Sequence, residues 1–439
     1  MTQASMEKSS TSSSPCTLKV AVVGGPQYDR LYERLPLFEK ETGHRVEIIF
    51  RGSHPELNDY LASTFQQSSP PELDLVSTHI KYAPSQVHFL QELDYDQVSE
   101  QERAEFLESA LEASKVQGRL MQLPRMVDSR VLFYRADVFE KLGLSPPTTW
   151  QDLLTVAGKI HKAALPVPSL TAKELGPTPE IIQGYVFPGK LSGLFGTFYE
   201  LAMMEMRHPE ALFDREDRPI FEEAVVVNVL KYMRELVTSN AVPHDIEKYY
   251  FDEVSSMFSE GKVAMVADWP SFYGGMKRKL RSVHPDARIG VMRYPVGPNG
   301  KRSAYSGMHS FSIPKSCRYP EQAAQLLKFL VRDDQQWIEA SESGSFPTKK
   351  AVLHRLVEEI ELRRLAASDV IEQAEEARLD SERLACLKAT VENDMAMFPH
   401  LKSYPDLEDA LYLMIQDAIM GRVSPEEAAS KMKVRACSP

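Results

Sequence analysis

The apolar positions fall first into a strand, a helix and a second strand. Leu18-Lys-Val-Ala-Val-Val23 is short, apolar and β-branched, and it ends in Gly24-Gly25-Pro26. Between Tyr28 and Thr42 the apolar residues Leu31, Leu35, Leu37 and Phe38 recur at roughly helical spacing, and Gly43 stands where a helix C-cap glycine belongs. Arg45-Val-Glu-Ile-Ile-Phe50 reads as the next strand. This β–α–β unit is the building block of a parallel sheet. A helix over Glu56–Gln66, a loop at 68–71 and a strand over Leu73–Val76 continue the alternation. Such a pattern predicts an α/β protein with helices on both sheet faces. Ligands of such sheets sit at the carboxyl ends of the strands, which singles out the loops Gly24–Tyr28, Arg51–His54 and Ser77–Tyr82.

Beyond residue 120 the helical patterns lengthen. Thr149 and Asp152 form a capping-box pair that opens a helix at Trp150. Phe221–Val237 and Gln322–Ile338 read as amphipathic helices. Residues 351–393 are rich in Glu, Arg and Leu, with Glu359 and Arg363 spaced for an i,i+4 pair. Ser424-Pro425-Glu426-Glu427 marks the start of a last short helix.

The chain has 439 residues, enough for more than one core. Its net charge of −11 disfavours binding to a phosphate backbone, so no nucleic-acid partner is expected. The one compact basic run, Lys277–Arg281, reads as a solvated helix face. The longest apolar run, Ala410–Ile415, is far too short for a membrane span, and no membrane insertion is expected. Residues 1–16 are polar and serine-rich and read as a disordered leader. They carry no apolar segment behind a basic start, so no secretory signal is read and the chain as it stands reads as cytoplasmic.

Cys16, Cys317, Cys386 and Cys437 share no metal-type spacing, and no metal or cofactor is expected. The sequence holds no Walker-type phosphate loop, dinucleotide fingerprint, H-E-x-x-H, C-x-x-C or G-x-S-x-G. Chemistry that needs one of those fixed spacings is removed, and enzymes that need no fixed local spacing stay open.

Several segments, taken together, resemble the family-1 extracellular solute-binding proteins, the carbohydrate-binding components of ABC importers. They are LPLFEKETGHRVEIIF (35–50), SPPELDLVSTH (69–79), LMQLPRMVDSRVLFYRADVFEKLGLSPPTTWQDLL (120–154), MFSEGKVAMVADWPSF (257–272), GMHSFSIPKSCRYPEQAAQLLKFLV (307–331) with GSFPTKKAVL (344–353), and GRVSPEEAASKM (421–432). The resemblance implies a two-lobed periplasmic-binding-protein type II fold, with a hinge and a ligand cleft between the lobes. It implies lobe one at 17–124 plus 308–344 and lobe two at 125–307 plus 345–439. It further implies a monomer that captures a carbohydrate or polyol by closing its lobes, an ABC importer permease as partner, and a periplasmic or extracellular location. An intracellular ligand sensor that reuses the fold is the alternative, and an enzyme on the same fold is the less favoured one.

By the same resemblance Trp269 is placed to stack on the apolar face of a sugar ring, with Asp268 beside it to accept hydroxyls. Arg125 and Asp128 fall in the hinge crossing, and Tyr305, Gly307 and His309 fall in the return crossing. Ser53, His54, His79 and Tyr82 lie just beyond strand ends, and Phe346 lies in the Gly-x-x-Pro-Thr turn. Trp150 and Trp337 read as packing residues, and Asp74 as a structural one. Acceptors and donors are mixed in this set. The expected ligand is therefore neutral and rich in hydroxyls, with binding that depends weakly on salt.

Overall fold

The structure is a computed structural model that describes residues 14–67, 72–167, 180–206, 212–214, 216, 218–366 and 371–437. Most of the expected leader and the loop at 68–71 lie outside the described residues. The larger sheet has the strand order Phe346–Pro347, Leu123–Ser129, Ala304–Ser312, Leu75–His79, Thr17–Val23, Arg45–Gly52, and Met395–Ala396 pairs with Ala304–Ser312. Its first-met unit is parallel as the sequence predicts, with Thr17 opposite Arg45 and Val20 opposite both Ile48 and Leu75. The return strand Ala304–Ser312 runs antiparallel to both of its long neighbours. A second sheet of three antiparallel strands has Val131–Arg135 between Met265–Asp268 and Ile289–Met292.

Each sheet has its own core. One gathers apolar residues from Leu18 to Leu123 and from Phe311 to Val331. The other gathers residues mostly between Val127 and Met308 and from Ala340 to Ala436. The chain crosses between them three times, twice as long strands. Leu123–Ser129 leads from the large sheet into Val131–Arg135 of the small one, and Ala304–Ser312 leads back. These two segments are paired, with Gly307 opposite Asp128 and His309 opposite Met126.

Local chemistry explains most element ends. Gly43 caps its helix at φ 78°. The helix expected over Tyr28–Thr42 is instead two, Pro26–Tyr32 and Leu35–Thr42. Pro36 has no N–H to donate backwards, so it can sit only in a first turn and the helix must restart there. The helix expected over Gln322–Ile338 likewise divides into Pro320–Leu330 and Asp333–Glu342. Asp333 and Asp334 fall in the first turn of the second piece, where the helix dipole favours carboxylates. The strand expected over Leu73–Val76 runs later, over Leu75–His79. Asp74 precedes it and accepts the backbone N–H of Lys19 at 2.8 Å and of Arg318 at 3.1 Å. Residues 351–393 form two helices, Lys350–Ala366 and Ile371–Asn393, and Arg363 reaches Asp380 on the second.

The Thr149 capping box is present, with the Asp152 N–H donating to Thr149 Oγ1 at 3.1 Å and the Thr149 N–H to Asp152 Oδ2 at 3.0 Å. Thr149→Ala should cost about 1 kcal/mol in chemical denaturation. A loss near zero would show that the cap contributes nothing.

Candidate functional site

The carboxyl ends of the three parallel strands point toward the junction of the two cores, where a cavity of about 280 Å³ opens. From the large-sheet side come Tyr28, Ser53, His54, His79, Lys81 and Tyr82. The paired connecting strands contribute Asp128, Tyr305, Gly307 and His309. The opposite wall is Ser192, Tyr250, Phe251, Asp252, Trp269, Ser271, Phe272 and Phe398.

That wall is aromatic. Trp269 is half-buried, with the Phe251 ring 5.6 Å and the Tyr305 ring 6.1 Å away between centroids. The Arg130 guanidinium lies 5.9 Å from the indole, and both Arg130 and its partner Glu200 are fully buried, 3.3 Å apart. Phe398 meets Tyr305 edge to face at 4.9 Å.

The facing side is polar but largely neutral. Lys81, the one Lys or Arg lining the cavity among the described residues, pairs with buried Glu408 at 2.6 Å, and Glu408 also accepts the Tyr305 hydroxyl at 2.6 Å. Asp128 is buried and accepts the Ser271 hydroxyl on Oδ2 at 2.7 Å, while its Oδ1 has no partner among the described residues. Burial pushes the Asp128 carboxyl up to about 7. His54, His79 and His309 cluster round the Tyr28 hydroxyl, which contacts His54 Nε2 at 2.9 Å and His309 Nδ1 at 3.1 Å. Gly307 permits this: a Cβ there would come within 2.7 Å of His79 Nε2.

Among the described residues, no three His, Cys, Asp or Glu side chains converge where a metal ion could sit. Among them, too, no helix is long and apolar enough to cross a membrane. A larger crevice of about 570 Å³ lies beside the helix Tyr273–Val283. Its cations Lys277, Arg281 and Arg288 are each paired with Glu375 or Glu376.

A two-core molecule with its cavity at the junction suits a protein that holds a small molecule between lobes. The family model of the bacterial extracellular solute-binding proteins matches residues 23–337. The chain belongs to that family. Among its relatives, a probable ABC transporter-binding protein of Deinococcus radiodurans is 25% identical over 329 residues, 74% of either chain. An arabinooligosaccharide-binding protein of Bacillus subtilis is 26% identical over 242 residues, 54% of this chain and 50% of that one. The maltose-bound MalE3 of T. maritima superposes with a TM-score of 0.75 over 96% of this chain and 99% of its own, at 23% identity, and so shares the two-lobed fold.

In this solute-binding protein nine of the residues singled out from the sequence meet at the cavity: Ser53, His54, His79, Tyr82, Asp128, Trp269, Tyr305, Gly307 and His309. Three lie elsewhere. Arg125 is buried under Tyr28, 4.9 Å from the ring, and its Nε donates to both carboxylate oxygens of Glu339 at 2.8 and 2.9 Å. Asp268 is fully buried and accepts the Ser255 hydroxyl and the Trp269 N–H, so its oxygens are occupied inside the core. Phe346 pairs with Val127 at the sheet edge and is buried in the larger core. Ser53 lines the cavity but caps the helix His54–Phe65 through a box with Glu56. Trp150 packs in the core against Tyr232, and Trp337 lies under Arg355.

Sequence reading missed several lining residues. Tyr28 and Lys81 lie in two of the loops singled out at strand ends, and Ser271 and Phe272 directly follow the Trp269 motif. Tyr250, Phe251 and Phe398 carry no local signal; only the packing of distant segments brings them to the wall.

Proposed function

We propose that this solute-binding protein captures a neutral carbohydrate or polyol by closing two lobes on it, as the binding component of an ABC importer. The lobes are 17–124 plus 308–344 and 125–307 plus 345–439, a division supported by the two cores. One observation carries the ligand class: an aromatic wall led by Trp269 faces a polar side whose single cation among the described residues, Lys81, is already neutralised by Glu408. A sugar ring offers an apolar C–H face to the indole and hydroxyls to Asp128 Oδ1 and the histidines. A phosphate or carboxylate would need an uncompensated Arg or Lys. Relatives that bind arabinooligosaccharide or maltose support the same class.

A thermal-shift screen of neutral sugars, polyols, sugar phosphates and sugar acids tests this, since a ligand selective for the folded state raises the melting temperature. Neutral members should give the largest shifts. Their affinity should change less than about tenfold between about 50 and 500 mM salt. Selective stabilisation by the anionic members would overturn the reading.

A further inference from the structure

The cavity has a neighbour. A crevice of about 610 Å³ also lies between the two cores, and Asp252, Ser271 and Phe272 line both spaces. One wall of the crevice comes from Leu31 on the helix Pro26–Tyr32, from Arg34, and from Gln335 and Ile338 on the helix Asp333–Glu342. The other wall runs on from Phe272 to Gly275 and Arg278 on the helix Tyr273–Val283. The crevice has more than twice the volume of the cavity beside Trp269, which lies at the small end of ligand pockets, about 300–1,000 Å³.

One tight turn carries the ring that lines the cavity and the ring that borders both spaces. The Phe272 N–H donates to the Trp269 carbonyl at 3.1 Å. Phe272 is half-buried, and among the described residues no aromatic ring stacks on it. Leu31 and Ile338 add apolar surface from the other lobe. The crevice also holds spare donors. Gln335 is buried, and its Nε2 has no partner among the described residues. Arg34 Nε is buried without one as well, while Asp334 fixes Nη2 of the same guanidinium at 2.5 Å. The Arg278 guanidinium is exposed and lies 3.4 Å from the Glu342 carbonyl. A buried N–H left unmade is costly, so a ligand oxygen that accepts from it gains more than it would in water.

The charges of the crevice balance. Among the described residues Arg30, Arg34 and Arg278 stand against Asp252, Glu339 and Glu342. Arg30 is paired with Glu342, and Glu339 with Arg125. Apolar surface, spare donors and balanced charge are the properties that suit the C–H faces and hydroxyls of further sugar rings.

We infer that the solute is a saccharide of at least two linked rings, the first against Trp269 and the next over Phe272 in the crevice. This rests on the solute-binding reading of the cavity and gives its ligand a size.

Calorimetry on two ladders tests it: glucose, maltose and maltotriose, and arabinose, arabinobiose and arabinotriose. Affinity should rise by about tenfold or more from one ring to three in the ladder that binds. Gly275→Phe should remove that rise. Gly275 lines the crevice and not the cavity, and a Cβ there would meet no atom within 4 Å, so the added ring enters open space. Gly275→Leu, a smaller plug, serves if the phenylalanine variant does not fold, with the melting temperature as the check. A single ring that binds as tightly as three, in every ladder that binds, overturns the inference and leaves the saccharide reading standing. A rise that persists in the folded plugged variant also overturns it, because the further rings then lie elsewhere. Binding of no member of either ladder counts against the saccharide reading, and the inference falls with it.

Discussion

Glu200→Ala should lower the unfolding free energy by about 3–5 kcal/mol, a loss that arises in the core behind the binding wall. Arg130 and Glu200 are both fully buried, and desolvation of two charges is repaid only while they face each other. Arg130 has further partners in Thr197 Oγ1 at 3.1 Å and the Ala267 carbonyl at 3.0 Å. Those are neutral acceptors and do not cancel its charge. Glu200 also accepts the Tyr305 N–H at 3.1 Å, so its loss strips a partner from the return strand. Chemical denaturation provides the measurement. The double variant Arg130→Met with Glu200→Leu should recover most of the loss, because the orphaned charge is gone. A single-variant cost below about 1 kcal/mol would mean that water reaches the pair.

Trp269→Ala should weaken binding of the best saccharide from the thermal-shift screen by about 1–3 kcal/mol, roughly 5- to 150-fold. The indole is half-buried, held by Phe251 and Tyr305 on the cavity wall, with Arg130 beneath it. Trp269→Phe should keep most of the affinity, since a flat apolar face remains for the ring to lie on. Calorimetry on both variants, with the melting temperature as a check on folding, gives the answer. Unchanged affinity in the alanine variant would remove Trp269 from the ligand contacts.

Much of this arrangement is legible in the chain because it rests on short-range physics. Alternation of apolar strands and helical periods announces the parallel unit, and Thr149-Trp-Gln-Asp152 announces its helix by a cap that needs only local geometry. The strand-end loops carrying Tyr28, Ser53, His54, His79 and Tyr82 follow from the rule that parallel strands present their carboxyl ends to a ligand. Tertiary structure decided the rest, and for one recurring reason. Whether a charged residue near the hinge serves a solute or the core depends on its partner, and the partners are far away in sequence. Arg125 meets Glu339 away from the cavity, while Asp128, three residues on, lines it. Asp268 meets Ser255 inside the core, and Lys81 meets Glu408 across the two lobes. The sequence by itself determined the parallel unit and the strand ends that line the cavity. Only the folded chain determined which charges are spent on one another, because burial makes an unpaired charge too costly to keep and the fold chooses its partner.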